Sequence, residues 1–283
     1  MPARNTTDRS VNSISTPQAG QELDIPLHPV SRRCPFSSAP GPLNWWTALG
    51  LAMVSAGPAP GARPRKAPRR PAPRGRTTVV GLDLAGSPAR DTGYCVFSNP
   101  SHFSVSVLKE DASILRAVRA ARPDLVLIDA PLSLPRGRRT IDDRFGPHLR
   151  ECDRELRRLG VRFFPLTLGP MRMLTARGMR LATRLGKLGI PTREGYPGGA
   201  QDLLGLPRKQ LGVRTLQARL RREGLRGELQ ERALTHDELD AVTLGWVGYL
   251  YLRGRALEIG DPEEGTMVLP RPRRVVPRRV KPA

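Results

Sequence analysis

Apolar and polar positions follow two different periods along residues 77–253. Residues 77–84 are β-branched and apolar around one acid, Asp83, which stands just before Ala85 and Gly86. The run predicts a buried strand that carries a carboxylate toward its own end. Residues 92–97 and 103–108 predict two more strands, joined across Asn99-Pro100, a turn signal. Three successive strands imply an antiparallel meander. The period then changes, because Ile114, Leu115, Val118 and Ala121 fall on one helical face and Pro123 closes that helix. Residues 124–129 form a short continuous apolar run, as in a strand buried on both faces. An acid again stands at its end, Asp129, followed by Ala130 and Pro131.

Residues 135–144 read as a polar, Arg-rich loop, and 147–159 as a helix stopped by Gly160. Arg150, Asp153 and Arg154 on that helix read as a solvated ion-pair face. Between 170 and 188, Met171, Leu174, Leu181, Leu185 and Leu188 keep helical spacing. Arg172, Arg177, Arg180, Arg184 and Lys187 fill other positions, with no acid among them. Such a face suits phosphate oxygens, and it equally suits plain solvation. Residues 190–194 predict a strand ending in Glu194, with a turn through Tyr196-Pro197-Gly198-Gly199. Thr235-His236-Asp237-Glu238 has capping-box form and opens a helix over 236–253. Leu239, Val242 and Trp246 give it a core stripe, while Gly245 and Gly248 permit close approach to a sheet. Asp237 and Asp240 share a face of its first two turns. The helix dipole accounts for Asp237 and Glu238 and explains Asp240 less well.

Composition adds two tails. The chain has 283 residues and a formal charge of +21, of which residues 1–76 carry +8 and residues 271–283 carry +6, leaving +7 for residues 77–270. A basic middle with gathered acids suits a polyanionic partner. Residues 1–76 are rich in Ser, Thr, Pro and Gly and alternate Pro with Arg and Lys near their end, which gives them little to bury. The apolar run at 45–56 is too short for a spanning helix, which needs ~20 residues. It reads as part of a disordered or mis-started tail, as a partner-docking helix, or as a cleaved export signal following Arg32-Arg33. Three scattered cysteines, Cys34, Cys95 and Cys152, form neither a disulfide framework nor a zinc knuckle, and point to a reduced, cytoplasmic setting without a membrane span. At 5% aromatic residues, base-stacking platforms are sparse.

The chemistry therefore rests on acids. Asp83 and Asp129 stand at strand ends, Asp237 and Asp240 on a late helix, and Glu194 at the end of a further strand. Clustered carboxylates repel unless a cation neutralises them. An oxygen-only donor set points to Mg²⁺ or Mn²⁺, and two such ions suit phosphodiester hydrolysis.

The runs Gly81-Leu82-Asp83-Leu84-Ala85-Gly86, Ile128-Asp129-Ala130-Pro131-Leu132, Arg193-Glu194-Gly195-Tyr196-Pro197 and His236-Asp237-Glu238-Leu239-Asp240-Ala241 together resemble domain of unknown function 429. That family is described as predicted nucleases with a ribonuclease-H-like fold. The resemblance covers residues 77–255 and implies an α/β fold, a mixed sheet with an antiparallel meander plus parallel strands, flanked by helices. Residues 1–76 and 256–283 are then basic tails. The Asp237 and Asp240 pair is similar to the late-helix pair of Holliday-junction resolvases. By that resemblance Asp83, Asp129 and Asp240 are metal ligands, with Asp237 a further ligand or an outer-shell group. Asp129 departs from the glutamate usual there, and Glu194 is placed by the family motif alone. Two other readings stay open. One is a non-catalytic nucleic-acid-binding module, whose acids cap helices. The other is a phosphotransferase of the sugar-kinase and actin type, which would duplicate the fold, whereas one copy is found. DNA or RNA as partner is left undecided.

Overall fold

The computed structural model describes residues 77–208 and 211–272. The Pro-rich stretch 1–76, with its apolar run at 45–56, and the basic residues 273–283 lie outside the described residues.

A seven-stranded mixed sheet forms the centre. Strands β1 (Val79–Asp83), β2 (Thr92–Asn99) and β3 (His102–Leu108) make the antiparallel meander that the alternation predicts. Helix α1 (Asp111–Ala121) then crosses over and returns the chain to β4 (Leu125–Ile128), parallel to β1. Helices α2 (Glu151–Arg158) and α3 (Gly169–Lys187) precede β5 (Thr192–Gly195), which pairs parallel with β4. Helices α4 (Pro197–Leu204), α5 (Val213–Arg222) and α6 (His236–Leu252) follow. The sheet is completed by β6 (Ala256–Asp261) and β7 (Gly265–Pro270). The strand order is β3-β2-β1-β4-β5-β7-β6. Its meander, parallel crossovers and late helix on the sheet make this a ribonuclease-H-like fold.

Side-chain parity sorts the strands between two layers. Val80, Leu82, Val126 and Ile128 face α1 and α3, where they meet Ile114, Val118, Leu181 and Leu185. Val79, Leu125 and Leu127 face the other way, onto α6. Two glycines let α6 lie directly on the strands. A Cβ at Gly81 would drive into the Ala241 carbonyl and come within 2.6 Å of the Gly245 amide, and one at Gly93 would drive into the Asp237 carbonyl. The helix is therefore held by backbone contact as well as by its apolar stripe.

Two segments read from the sequence differ from expectation, and helix α5 lies where no element is predicted. Residues 256–270, read from their flanking charge as the start of a basic tail, form a hairpin whose β7 runs parallel to β5. Leu257, Ile259, Met267 and Leu269 bury a third apolar cluster against Cys152 and Leu156 of α2. The segment after Tyr196, read as a turn, is helix α4 with Pro197 at its start, where the fixed φ of proline favours a helix. Gly198 and Gly199 are tolerated in it because the Tyr196 ring packs over them. A Cβ at Gly199 would come within 2.6 Å of that ring.

Candidate active site

Strand register brings the first two acids together. Leu82 pairs with Ile128 in the parallel β1–β4 ladder, so Asp83 and Asp129 are the next residues on each strand. The Asp129 amide donates to the Leu82 carbonyl at 2.8 Å and extends that pairing. Asp83 shares parity with Val79 and Gly81, and Asp129 continues that of Leu125 and Leu127, so both belong to the α6 side of the sheet.

Helix α6 delivers the other pair to the same end. Thr235 is its N-cap: the Glu238 amide donates to the Thr235 hydroxyl at 3.3 Å, and the Thr235 amide to the Glu238 carboxylate at 2.8 Å. Burial works against ionisation of Glu238, but hydrogen bonds from Arg232 and Thr235 outweigh it and hold its carboxyl below the ordinary value. The Asp237 backbone rests on Gly93, the cross-strand partner of Asp83. Asp237 is half-buried and Asp240 is buried. The Gln201 amide of α4 donates to Asp240 Oδ1 at 2.6 Å. Thus Asp83, Asp129, Asp237 and Asp240 share one face and one end of the sheet. Among the described residues, however, no three His, Cys, Asp or Glu side chains stand close enough to make a ready-made metal-ligand group.

Glu194 belongs to a different device. It pairs with Ile128 in the β4–β5 ladder, and its carboxylate accepts both Arg150 Nη1–H, at 2.6 Å, and Arg150 Nη2–H, at 2.7 Å. The Leu132 amide also donates to Glu194, at 2.9 Å, and so ties down the turn that begins at Asp129. Arg150 is 1% exposed and holds Asp153 as well, at 3.0 Å, so these residues form a buried network where the pattern read as a solvated face. A capped helix start and a 44-residue loop closure are needed to assemble it, and neither has a local signal.

The cationic helix α3 also divides. Arg177 is 1% exposed: it donates to Asp111 at 2.8 Å and to the carbonyls of Ala85, Ser87 and Lys109 at 2.7, 2.9 and 2.6 Å. It therefore fastens the turn that follows Asp83 and offers no surface to phosphate, contrary to its reading as a nucleic-acid contact. Next to it, Gly178 packs on Ala130 and Pro131, where a Cβ would stand 2.6 Å from that of Ala130. Arg172 is paired with Asp142 at 2.6 Å, while Arg180, Arg184 and Lys187 are exposed. Two buried arginines thus brace the turns behind Asp83 and Asp129, one directly and one through Glu194. Tyr196 lies near the second turn, and burial raises its phenol pKa, with the charge of Asp129 acting in the same direction.

No helix among the described residues is long and apolar enough to cross a membrane. No curated protein matches the chain in sequence. Among solved structures the chain is similar to RuvC of Thermus thermophilus, at 14% identity over 63% of this chain and 97% of that one, with a TM-score of 0.35. It is also similar to the yeast mitochondrial Holliday junction resolvase Ydc2, at 12% identity over 62% of this chain and 80% of that one, with a TM-score of 0.34. The model of the family described as "Protein of unknown function (DUF429)" matches residues 81–265, which hold Asp83, Asp129, Glu194, α6 and the first hairpin strand, and the chain belongs to that family.

Proposed function

We propose that this protein is a divalent-metal-dependent nuclease that hydrolyses phosphodiester bonds of nucleic acid at the α6 end of β1 and β4. The observation that carries the reading is the register of Asp83 and Asp129 as neighbours on the face that receives Asp240 and Asp237. The donor set is oxygen only, which fits Mg²⁺ or Mn²⁺. Mg²⁺ commonly takes one or two carboxylates and completes its sphere with water and substrate phosphate. A site without three converged side chains is compatible with that habit.

Asp83, Asp129 and Asp240 would share the metal, one or two of them as direct ligands and the rest through bound water, with Asp237 at the rim; a bound ion supplies a more acidic water and neutralises the leaving oxygen. The residues around them do the positioning. Arg177 and Glu194 fix the two strand-end turns, and the Gln201 hydrogen bond fixes the rotamer of Asp240. Glu194 itself is an anchor for Arg150 in this reading rather than a ligand. Arg180, Arg184 and Lys187 are the exposed cations of α3 offered to the phosphate backbone. A binding module without catalysis is the second reading, favoured by the Asp240–Gln201 hydrogen bond, which gives that acid a structural role.

The test is cleavage of labelled DNA and RNA, paired, single-stranded and branched, by the full chain with Mg²⁺ or Mn²⁺. Asp83→Asn and Asp240→Asn are run beside it, with circular dichroism confirming their folding. Cutting that needs metal and falls by about 100-fold or more in both variants is expected. Binding without cutting by wild type and variants alike would replace the nuclease with the binding module.

A further inference from the structure

Among the described residues one aromatic ring stands out by its exposure. Phe145 is 80% exposed, whereas most large apolar side chains among the described residues are buried. An isolated exposed ring is ordinary on a protein surface. This one differs in what holds it and in what lies beside it.

The loop beneath it is braced from within. Arg138, only 7% exposed, donates to the carbonyls of Asp143, Gly146 and Pro147 at 2.6, 3.2 and 3.0 Å. Asp143 in turn accepts from the Arg139 and Thr140 amides and the Thr140 hydroxyl, at 2.8, 3.0 and 2.6 Å. Those bonds, the Thr140 hydroxyl foremost, pull the Asp143 carboxyl down to about 2. A buried guanidinium committed to three carbonyls of one loop fixes the position of its tip. The Arg144 guanidinium lies 5.6 Å from the Phe145 centroid, which enriches one face of the ring with a cation. The loop is also tied to α3 through the Asp142–Arg172 pair. One residue on, Met173 approaches Gly86, and Arg177 grips Ala85 and Ser87 behind Asp83.

The second feature begins two residues after the ring. A cleft of about 560 Å³ is lined by Pro147, His148, Arg154, Arg157, Pro165 and Thr167. His148 is hydrogen-bonded to Thr167 at 2.8 Å, and Arg154 is paired with Glu151, while Arg157 is exposed. An aromatic ring two residues along the chain from a cleft with arginines and a histidine offers the chemistry of a nucleotide site: a π-surface for the base and cations for its phosphate.

We infer that Phe145, backed by Arg144, is a stacking site for an unpaired nucleobase, with the 560 Å³ cleft receiving the adjoining phosphate backbone. The inference rests on the nuclease reading and narrows it, because the substrate must then offer an unpaired or displaced base: a loop, a single strand or a branch point. Fully paired duplex keeps its bases stacked on one another and cannot use the ring.

The test measures binding by the full chain in EDTA, so that no cutting intervenes. The probes are two labelled oligonucleotides, one a duplex with a single unpaired 2-aminopurine and one fully paired. Phe145→Ala should weaken binding of the first about tenfold and leave the second unchanged. Its salt dependence should stay that of wild type, because no cation is removed, whereas Arg157→Ala should lower the slope by about 0.9. Phe145→Trp should restore affinity, and 2-aminopurine fluorescence should be quenched by wild type and not by Phe145→Ala. Equal affinity of wild type and Phe145→Ala for the unpaired probe would overturn the stacking site. Metal-dependent cleavage that survives in Phe145→Ala at the wild-type rate would sink the inference and leave the nuclease standing. Absence of any nucleic-acid binding by wild type would remove both.

Discussion

Arg177 and Arg184 lie seven residues apart on α3, two turns along and within about 20° of the same face. A helical wheel cannot separate them, yet Arg177 is buried among one carboxylate and three carbonyls while Arg184 stands in solvent. The difference lies in what faces each. Opposite Arg177 the chain folds the turn after β1 against the start of α1, and both present oxygens. Burying a guanidinium is favourable only where such oxygens satisfy nearly all its donors. The same helix therefore serves two purposes: one half fastens the turns behind Asp83 and Asp129, and the other half carries the exposed cations.

Replacing each cation in turn sharpens or breaks that division. The largest effect is expected from Arg177→Met, which strands Asp111 and three carbonyls and should cost about 4 kcal/mol in chemical denaturation. If Arg184→Met costs as much, the division of α3 is wrong. Next comes Glu194→Gln, which leaves Arg150 with Asp153 and a neutral amide and should cost about 2 kcal/mol. Because Glu194 also holds the Leu132 amide, that variant should lower kcat with little change in KM once a cleaved substrate is in hand. A change confined to stability would make the Arg150 network purely structural. The smallest effect on folding is expected from Arg180→Ala, Arg184→Ala and Lys187→Ala combined, about 0.5 kcal/mol or less at each site. Their effect should appear in binding instead, where removing each phosphate-binding cation lowers the salt slope by about one unit.

Much of the frame was legible. The meander, the α1 crossover and the strand ending at Asp129 follow from changes of period, and Thr235 with Glu238 marks the start of α6 without reference to anything distant. The positions of the candidate acids at the ends of apolar runs were legible for a related reason. An acid at the end of an apolar run is costly unless a cation or a hydrogen-bond donor meets it there, so its presence marks a place where something does. Parity then assigns Asp83 and Asp129 to one face. The hairpin β6–β7 was not legible as part of the sheet. Its neighbour β5 lies about 70 residues earlier, and the Arg-rich run after Pro270 masks two short strands. Helix α4 was hidden by Gly198 and Gly199, whose cost in a helix is offset by packing against the Tyr196 ring, with Arg208 and Val161 beside it.

What the sequence by itself determined is the local alternation of strand and helix and the places where carboxylates interrupt apolar runs, because both depend on periodicity and on the cost of burying a charge. Tertiary structure alone decided which charges are spent on the fold. Arg150 finds Glu194 across 44 residues, and Arg177 finds the Ala85 carbonyl across 92. A buried ion pair is set by what faces it after folding, and no residue's immediate neighbours in the chain record that.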